Sequence, residues 1–296
     1  MLGVGLTRAG GRLVRLDGGT PDGQVVVEGA LPRDGTGRLL VPFRPGDVLA
    51  VSAPFVDTVA TSVSGTEAIL RWPWRRADPD SISGWTGGEF GFPFREQHKT
   101  LYRTEPPLEE LRAGQRCRVG IPPTLLHVVE IETLDAPEDT SMLPRPSGWL
   151  TLLPAGTAFD PTDRDRCIDV ELVAAWEPDG PTPGVELVEP IRMELVFRPY
   201  AFLADGDVVI DAGGRRWRFE VPYWWRQLDG QRGAGPREEG APDWPLRLAS
   251  EDSEPDPVRD AEVASATATG SHIDQMACWR ELARAEWVPV PDVADD

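Results

Sequence analysis

The sequence contains no asparagine and a single lysine, Lys99, among its 296 residues. Without asparagine there is no acceptor for N-glycosylation and no catalytic-loop Asn to hold the second magnesium ion of a protein kinase. A Walker A loop needs a Gly followed by a Lys that reaches the phosphates. Here the one Lys follows His98. The two familiar architectures for handling nucleotide phosphates are therefore excluded.

Cysteine is also scarce, and the three cysteines, Cys117, Cys167 and Cys278, are far apart. Their odd number and their spacing fit neither a disulfide framework nor a zinc ribbon. We expect reduced thiols, as is usual in a cytoplasmic protein. No apolar run approaches the roughly 18 residues that span a bilayer, and residues 1–11 lack the apolar region of a signal peptide. The predicted location is the cytoplasm, with no membrane partner.

Arginine, by contrast, is abundant: every basic residue except Lys99 is an Arg, and Gly and Pro number 30 each. We interpret this bias as the mark of a GC-rich bacterial genome. The 49 acidic residues outnumber the 30 basic ones, which gives a net charge of −19. Nonspecific affinity for nucleic acid depends on a cationic surface, so we do not expect a nucleic-acid partner. Apolar residues make up 40% of the chain, enough for a hydrophobic core.

The clearest structural signal is an alternation of apolar and polar residues with period two. Residues 191–198 and 216–221 both alternate, which predicts strands with one buried and one solvated face. Between them, residues 211–214 end in two glycines suited to a tight hairpin turn. In residues 13–72, short β-branched runs recur about every 8–12 residues with turn signals between them. The sequence therefore predicts a mainly β fold of antiparallel sandwich or barrel-like units.

Composition divides the chain into five blocks. They are a β-rich N-terminal unit (1–76), an irregular Gly/aromatic loop region (77–114), a β-rich C-terminal unit (115–228), an acidic Gly/Pro-rich linker (229–270), and an amphipathic helix with a tail (271–296). Within the second block, residues 81–94 have no period, and we interpret them as a long ordered loop. Whether the two β-rich blocks share one core is left open.

The last block predicts one amphipathic helix. Ser271 is a suitable N-cap, and an acidic residue follows three positions later. Four residues fall on one apolar face: Met276, Trp279, Leu282 and Ala283. Two alternatives are open for this face. The helix packs on the β body of its own chain, or it binds a partner protein from a flexible tether.

Eleven tryptophans are the most unusual feature of the composition. Most of them are expected in the core, because a buried Trp removes a large apolar area from water. Neighbouring side chains on a strand point to opposite faces, so Trp224 and Trp225 cannot both face one core. One of the two rings is expected against another layer, a ligand or a partner. The candidate binding residues are Trp72, Trp74, Arg75, Trp224 and Trp225.

The sequence has no Gly-x-Ser-x-Gly nucleophile motif and no complete Gly-x-Gly-x-x-Gly fingerprint. The candidates for catalysis are His98 and Lys99, because a Lys can lose its proton when desolvated and a His titrates near neutral pH. An exposed polar turn is the alternative interpretation of this pair. His127 and Glu130 have the spacing of a metal pair, but on a strand they point to opposite faces. We therefore expect no metal and no cofactor.

These observations favour a non-catalytic cytoplasmic bacterial protein that serves as a protein–protein binding or assembly component. We expect its partner to be another protein, bound through exposed Trp and Arg side chains or through the C-terminal helix. The first alternative is a small-molecule or carbohydrate binder with a Trp-lined site near residues 81–94. The second is an enzyme that uses His98 and Lys99.

Overall fold

The structure is a computed structural model that describes a large part of the chain. The chain forms two compact units. The described residues are 6–9, 12–15, 25–28, 30–78, 80–82, 84–95, 100–135, 146–157, 159–160, 162, 164–174, 189–228, 240–249, 256–282 and 285–288. The terminal unit comprises Met1–Gln24, Arg44–Val48 and Leu195–Asp296. The central unit comprises Val25–Phe43 and Leu49–Glu194. Each unit is thus assembled from segments that are distant in the sequence.

The predicted fold class is confirmed: strands account for 48% and helices for 14% of the residues that the structure describes, the sheets are antiparallel with a half-barrel curl, and two helices lie near the C-terminus. In chain order the strands are β1 (Leu6–Ala9), β2 (Arg12–Arg15), β3 (Val26–Glu28), β4 (Val48–Val63), β5 (Glu67–Ala77), β6 (Trp85–Pro93), β7 (Arg103–Glu105), β8 (Arg116–Thr133), β9 (Pro146–Pro154), β10 (Ile168–Val173), β11 (Arg192–Phe197), β12 (Val208–Ile210), β13 (Arg216–Glu220), β14 (Trp224–Gln227), β15 (Arg247–Ala249) and β16 (Ala285–Val288). The helices are α1 (Pro257–Ala266) and α2 (His272–Leu282), and 3₁₀ turns occupy Leu108–Glu110 and Arg164–Arg166. Neither helix has the length and apolar character needed to cross a membrane, in the part of the chain that the structure describes.

In the central unit, β10, β9, β8 and β4 lie side by side in that order, β5 pairs with β4, and β7 pairs with β8. Strand β5 explains how the core is filled. Its burial alternates along the strand, so that Leu70, Trp72 and Trp74 point inward. These side chains pack with residues of β6 and β8, among them Phe92 and Val119. The period-two pattern therefore places two of the tryptophans in the core.

The interpretation of residues 81–94 as a loop was wrong, because they contain strand β6. This strand pairs antiparallel with β5, from Glu67 opposite Pro93 to Ala77 opposite Trp85. Most β6 side chains are exposed, and its glycines break any apolar alternation. The strand forms because β5 supplies hydrogen-bond partners for its backbone groups. This pairing cannot be predicted from the composition of residues 81–94 alone.

The predicted hairpin at residues 211–214 is confirmed in the terminal unit. Strands β12 and β13 pair around it, and Gly214 has a φ of +77°, which favours glycine. The Asp211 carboxylate accepts hydrogen bonds from the backbone N–H groups of Gly213 and Arg215 and from the Trp217 indole, each at 2.9 Å. Burial acts to raise the pKa of Asp211, but these hydrogen bonds hold it below its usual range. The turn is therefore fixed by a carboxylate that stays ionised.

The block predicted as an acidic linker, 229–270, contains strand β15 and helix α1, and two helices are present where the sequence predicted one. Asp256 is the N-cap of α1 and accepts a hydrogen bond from the Val258 N–H at 2.9 Å. Asp260 is buried and is paired with Arg247. The acidic residues that suggested a solvated segment thus act as a helix cap and as an ion-pair partner.

Candidate functional site

Trp72 and Trp74, both candidate binding residues, lie inside the central unit with exposed fractions of 6% and 4%. Their rings contact Tyr102, with ring centroids 4.9 and 5.5 Å away. Arg75 lies between strand positions that point inward and is itself exposed. Neither indole face is therefore open for stacking on a sugar ring.

A polar network that the sequence did not suggest lies beside these tryptophans. The Arg76 guanidinium lies 3.1 Å from the carboxylates of both Glu171 and Glu189, and the Trp72 indole donates to Glu189 at 3.1 Å. Burial raises the pKa of both carboxyl groups, while the positive charge of Arg76 opposes the rise. Burial, together with the negative charge of Glu189, also raises the pKa of Tyr102. Glu171 and Glu189 are 18 residues apart in the sequence and belong to no shared motif. The sequence therefore contained no sign that both carboxylates would contact Arg76.

The cavity next to this network has a volume of about 40 Å³ and is lined by Arg76, Glu171, Glu189 and apolar neighbours such as Met193. A water molecule needs about 10–15 Å³ of such volume, so there is room for water but not for an organic substrate. A carboxyl group with a raised pKa can act as a general acid when a substrate reaches it. In this structure the network is internally paired: Arg76 joins the two carboxylates, and Glu189 accepts a hydrogen bond from Trp72.

Trp224 and Trp225 point to opposite faces of their strand, as the sequence predicted. Trp225 is 6% exposed and belongs to the core of the terminal unit, whereas Trp224 is 37% exposed. The ring of Trp224 stacks on that of Tyr223, with centroids 6.2 Å apart and an interplanar angle of 13°. Tyr223 in turn contacts Trp279 of α2 at 5.8 Å. The exposed indole of Trp224 therefore packs against Tyr223, which in turn packs against Trp279.

Strand β14, which carries Trp224, lies at the edge of a four-stranded sheet with the order β14-β13-β12-β15. The Leu228 N–H donates to the Arg216 carbonyl at 2.9 Å, and bonded positions alternate along an antiparallel pair. Every second residue before Leu228, including Trp224, therefore bonds to β13. Trp225 and Gln227 direct their backbone N–H and C=O groups to the outer side. Among the described strands, β13 is the only neighbour of β14.

The opposite edge of the same sheet is covered. Just before β15, the Leu246 N–H donates to the hydroxyl of Thr267 at 2.8 Å, and within β15 the Leu248 N–H donates to the carboxylate of Asp260 at 2.9 Å. Both acceptors belong to α1 or to the residue that ends it. The helix thus satisfies outward N–H groups at the β15 edge. At the β14 edge, by contrast, the outward backbone groups have no strand partner among the described residues.

The apolar face of α2 lies within its own unit. Met276, Trp279 and Leu282 are buried, and Met276 joins the core that also contains Trp225. Ala283, the fourth residue of the predicted face, lies outside the described residues. The structure therefore supports the first of the two alternatives, in which the helix packs on its own chain. The apolar side chains that could have bound a partner are already buried within the unit.

The candidate catalytic residues His98 and Lys99 lie outside the described residues, and their role stays a prediction. His127 and Glu130 diverge as expected: His127 is 5% exposed, whereas Glu130 is exposed and pairs with Arg164 at 2.9 Å. Within the described ranges, no three His, Cys, Asp or Glu side chains are grouped as metal ligands.

Comparison with protein-family models, with curated proteins and with solved structures finds no match to this chain. Function must therefore be argued from the geometry of its own surfaces. Two features remain after the buried tryptophans are set aside, the outer edge of β14 with Trp224 and the cavities of the central unit. The first of them involves the side chain that the sequence singled out and the structure leaves exposed.

Proposed function

We propose that this chain is a non-catalytic protein-binding component, and that it binds an extended, basic segment of a partner protein along the outer edge of β14. The observation that carries the proposal is the exposed Trp224 on a strand whose outer backbone groups have no strand neighbour among the described residues. Addition of a strand to a sheet edge is a recurring mode of peptide recognition. Backbone hydrogen bonds supply affinity in this mode, and side-chain contacts supply specificity.

The backbone part of the interaction falls on Trp225 and Gln227. Their N–H and C=O groups point away from β13, as the alternation along the strand pair requires. A row of such groups is a template for another strand, and proteins usually cover or interrupt it. On this sheet α1 covers β15, so the uncovered strand is the one offered to a partner.

Trp224 supplies the side-chain anchor. Aromatic residues are enriched among the few residues that dominate binding energy at protein interfaces. Stacking on Tyr223 limits the orientations of the Trp224 ring before a partner arrives, which lowers the entropy lost on binding. A partner that lies along β14 meets this ring on the exposed face of the strand.

The charge of the chain favours a basic partner segment. The net charge of −19 creates a field that attracts cations and speeds their encounter with the surface. Near the edge, Arg226 is already paired with Glu220 at 2.9 Å, so this arginine does not act as an isolated positive charge. Binding to a basic segment is therefore expected to weaken as salt is raised.

The experiment captures protein partners from the source cells with the full chain and with three variants. Trp224→Ala removes the anchor, and Gln227→Pro removes one outward N–H, a change that edge strands tolerate. Ile82→Ala is the matched control, because Ile82 is an exposed apolar residue of the central unit. We expect the control to retain the captured protein and both β14 variants to lose it.

The bound segment, once identified, is then titrated as a peptide. Trp224→Ala should weaken its binding by about 10- to 30-fold, the loss typical of a dominant interface residue. Hydrogen exchange at the amides of Trp225 and Gln227 should slow when the peptide binds. The proposal fails if both β14 variants bind as tightly as the native chain, or if the slowed amides lie elsewhere.

A further inference from the structure

A second cavity of the central unit has no role in the proposed function. Its volume is about 210 Å³, and it is lined in part by Phe92, Tyr102 and Leu108 and by the hydroxyl-bearing Thr100 and Thr104. An apolar cavity of about 150 Å³ is known to hold a benzene molecule. A space of this size therefore accommodates a single six-membered ring with a small substituent.

Two residues that line this cavity, Tyr102 and Thr104, have a buried hydroxyl oxygen with no hydrogen-bond partner among the described residues, and Tyr102 also lies beside Glu189. The Thr104 hydroxyl oxygen is buried and makes no hydrogen bond among the described residues. Buried hydroxyl groups are nearly always hydrogen-bonded, so each exception calls for a water or a ligand group. The cavity lined by Thr104 is the place from which such a group can reach it.

The remaining lining favours a neutral guest. The Arg103 guanidinium donates to the backbone carbonyls of Thr100 and Tyr102 at 2.7 and 2.8 Å, so it is engaged in holding this segment. Phe92 and Leu108 are almost fully buried and present apolar surface. Glu109 also lines the cavity, but its side chain is exposed, so an ionised guest would leave water for only a weak, solvent-screened charge interaction.

We propose that this cavity binds a small neutral ring compound that carries a hydroxyl group, with the Thr104 hydroxyl as its hydrogen-bond partner. The ring fills the apolar part of the cavity beside Tyr102, and the hydroxyl group satisfies Thr104. A site of this kind discriminates against the same ring without its hydroxyl, because the Thr104 oxygen is then left unpaired. The proposal is independent of the β14 edge, so either can fail without the other.

The probes are phenol and benzene, which differ only in the hydroxyl group. They are titrated into the full chain by calorimetry and by amide NMR, and into Thr104→Val and Thr104→Ser. Valine keeps the shape of the side chain without the hydroxyl, and serine keeps the hydroxyl. We expect phenol to bind the native chain about fivefold or more tightly than benzene, the effect of one hydrogen bond. The difference should vanish in Thr104→Val and persist in Thr104→Ser.

Three results overturn the proposal. They are equal binding of benzene and phenol by the native chain, a preference for phenol that persists in Thr104→Val, and no binding of either probe at millimolar concentration. If neither probe binds, the cavity holds water only. Amide shifts on binding must also fall on Tyr102 and Thr104, since shifts confined to the terminal unit would place the probe elsewhere.

Discussion

His127 is the clearest case in this protein of a single side chain whose ionisation is governed by burial. It lies on β8 with an exposed fraction of 5%, and its Nδ1 atom is 3.2 Å from the Pro154 carbonyl oxygen. Burial lowers the pKa of His127 from 6.5 to about 4, because a charged imidazolium is poorly solvated there. Glu130, three positions along the same strand, is exposed and paired with Arg164. Position along the strand therefore decides that the His127 side chain is buried and that the Glu130 side chain is solvated.

The lowered pKa of His127 predicts a loss of stability in acid. As the pH falls below 6.5, the unfolded chain binds a proton at this residue before the folded chain does. The stabilisation is complete above pH 6.5 and is lost progressively down to about pH 4, by about 3 kcal/mol in total. We expect His127→Gln, whose side chain cannot ionise, to lack this pH-dependent contribution to the free energy of unfolding. Urea unfolding at several pH values measures the free energy of unfolding of both proteins.

The difference between the two proteins isolates His127, because the other titrating groups are common to both. The stability of the native chain relative to His127→Gln should fall as the pH is lowered from 7 to 4. A difference that stays constant over this range would contradict the assignment.

Elements of secondary structure in this protein depend on their neighbours as much as on their own residues. Strand β6 has no apolar alternation and forms against β5. Helix α1 arises in an acidic stretch whose carboxylates cap the helix and accept hydrogen bonds from β15. In both cases the pairing across elements supplies what the local pattern lacks.

The role of α1 as a cover for β15 predicts a specific loss on removing Asp260. Asp260→Ala leaves the Leu248 N–H without its acceptor and breaks the pair with Arg247. We expect the free energy of unfolding to fall by about 1–3 kcal/mol, the cost of leaving a partly buried donor unsatisfied. Self-association should also increase, because an uncovered edge strand pairs with other chains. Urea unfolding and analytical ultracentrifugation measure the two effects.

Asp256→Ala on the same helix is the matched control. It removes the N-cap at a cost of about 1 kcal/mol but leaves the β15 edge covered. If this control variant self-associates as strongly as Asp260→Ala, the edge is not what α1 protects.

The whole molecule consists of two units, each with its own core, and the terminal unit draws its core from the far C-terminal part of the chain. Leu246, Val263 and Met276 pack there with Trp217 and Phe219 of the β12–β13 hairpin region. The segments before residue 228 therefore do not hold this core alone. In particular, the fully buried Leu246 and Val263 contribute apolar area that the hairpin by itself cannot replace.

This organisation predicts the result of ending the chain at Leu228. The shortened chain loses β15, α1 and α2. We expect the amides of β12, β13 and β14 to lose protection from hydrogen exchange, while those of β8 and β9 in the central unit keep theirs. Hydrogen exchange followed by mass spectrometry compares the two chains. Unchanged protection in β13 would mean that the C-terminal helices are accessories to a core that forms without them.

The local alternation of apolar and polar residues was sufficient to predict several features of this protein. The mainly β class, the hairpin at residues 211–214 and the opposite orientation of Trp224 and Trp225 all follow from a side-chain period of two and from glycine at a turn. These properties depend on neighbours within a few residues, and such neighbours are visible in the sequence.

The tertiary structure alone decided the rest. It joined Glu171 to Glu189 through Arg76 and placed helix α2 inside the terminal unit. It also covered one edge of the four-stranded sheet and left Trp224 exposed on the other. Each of these outcomes depends on contacts between residues far apart in the chain. A local pattern of apolar and polar residues specifies which face of a strand or helix is buried, but not which other segment buries it.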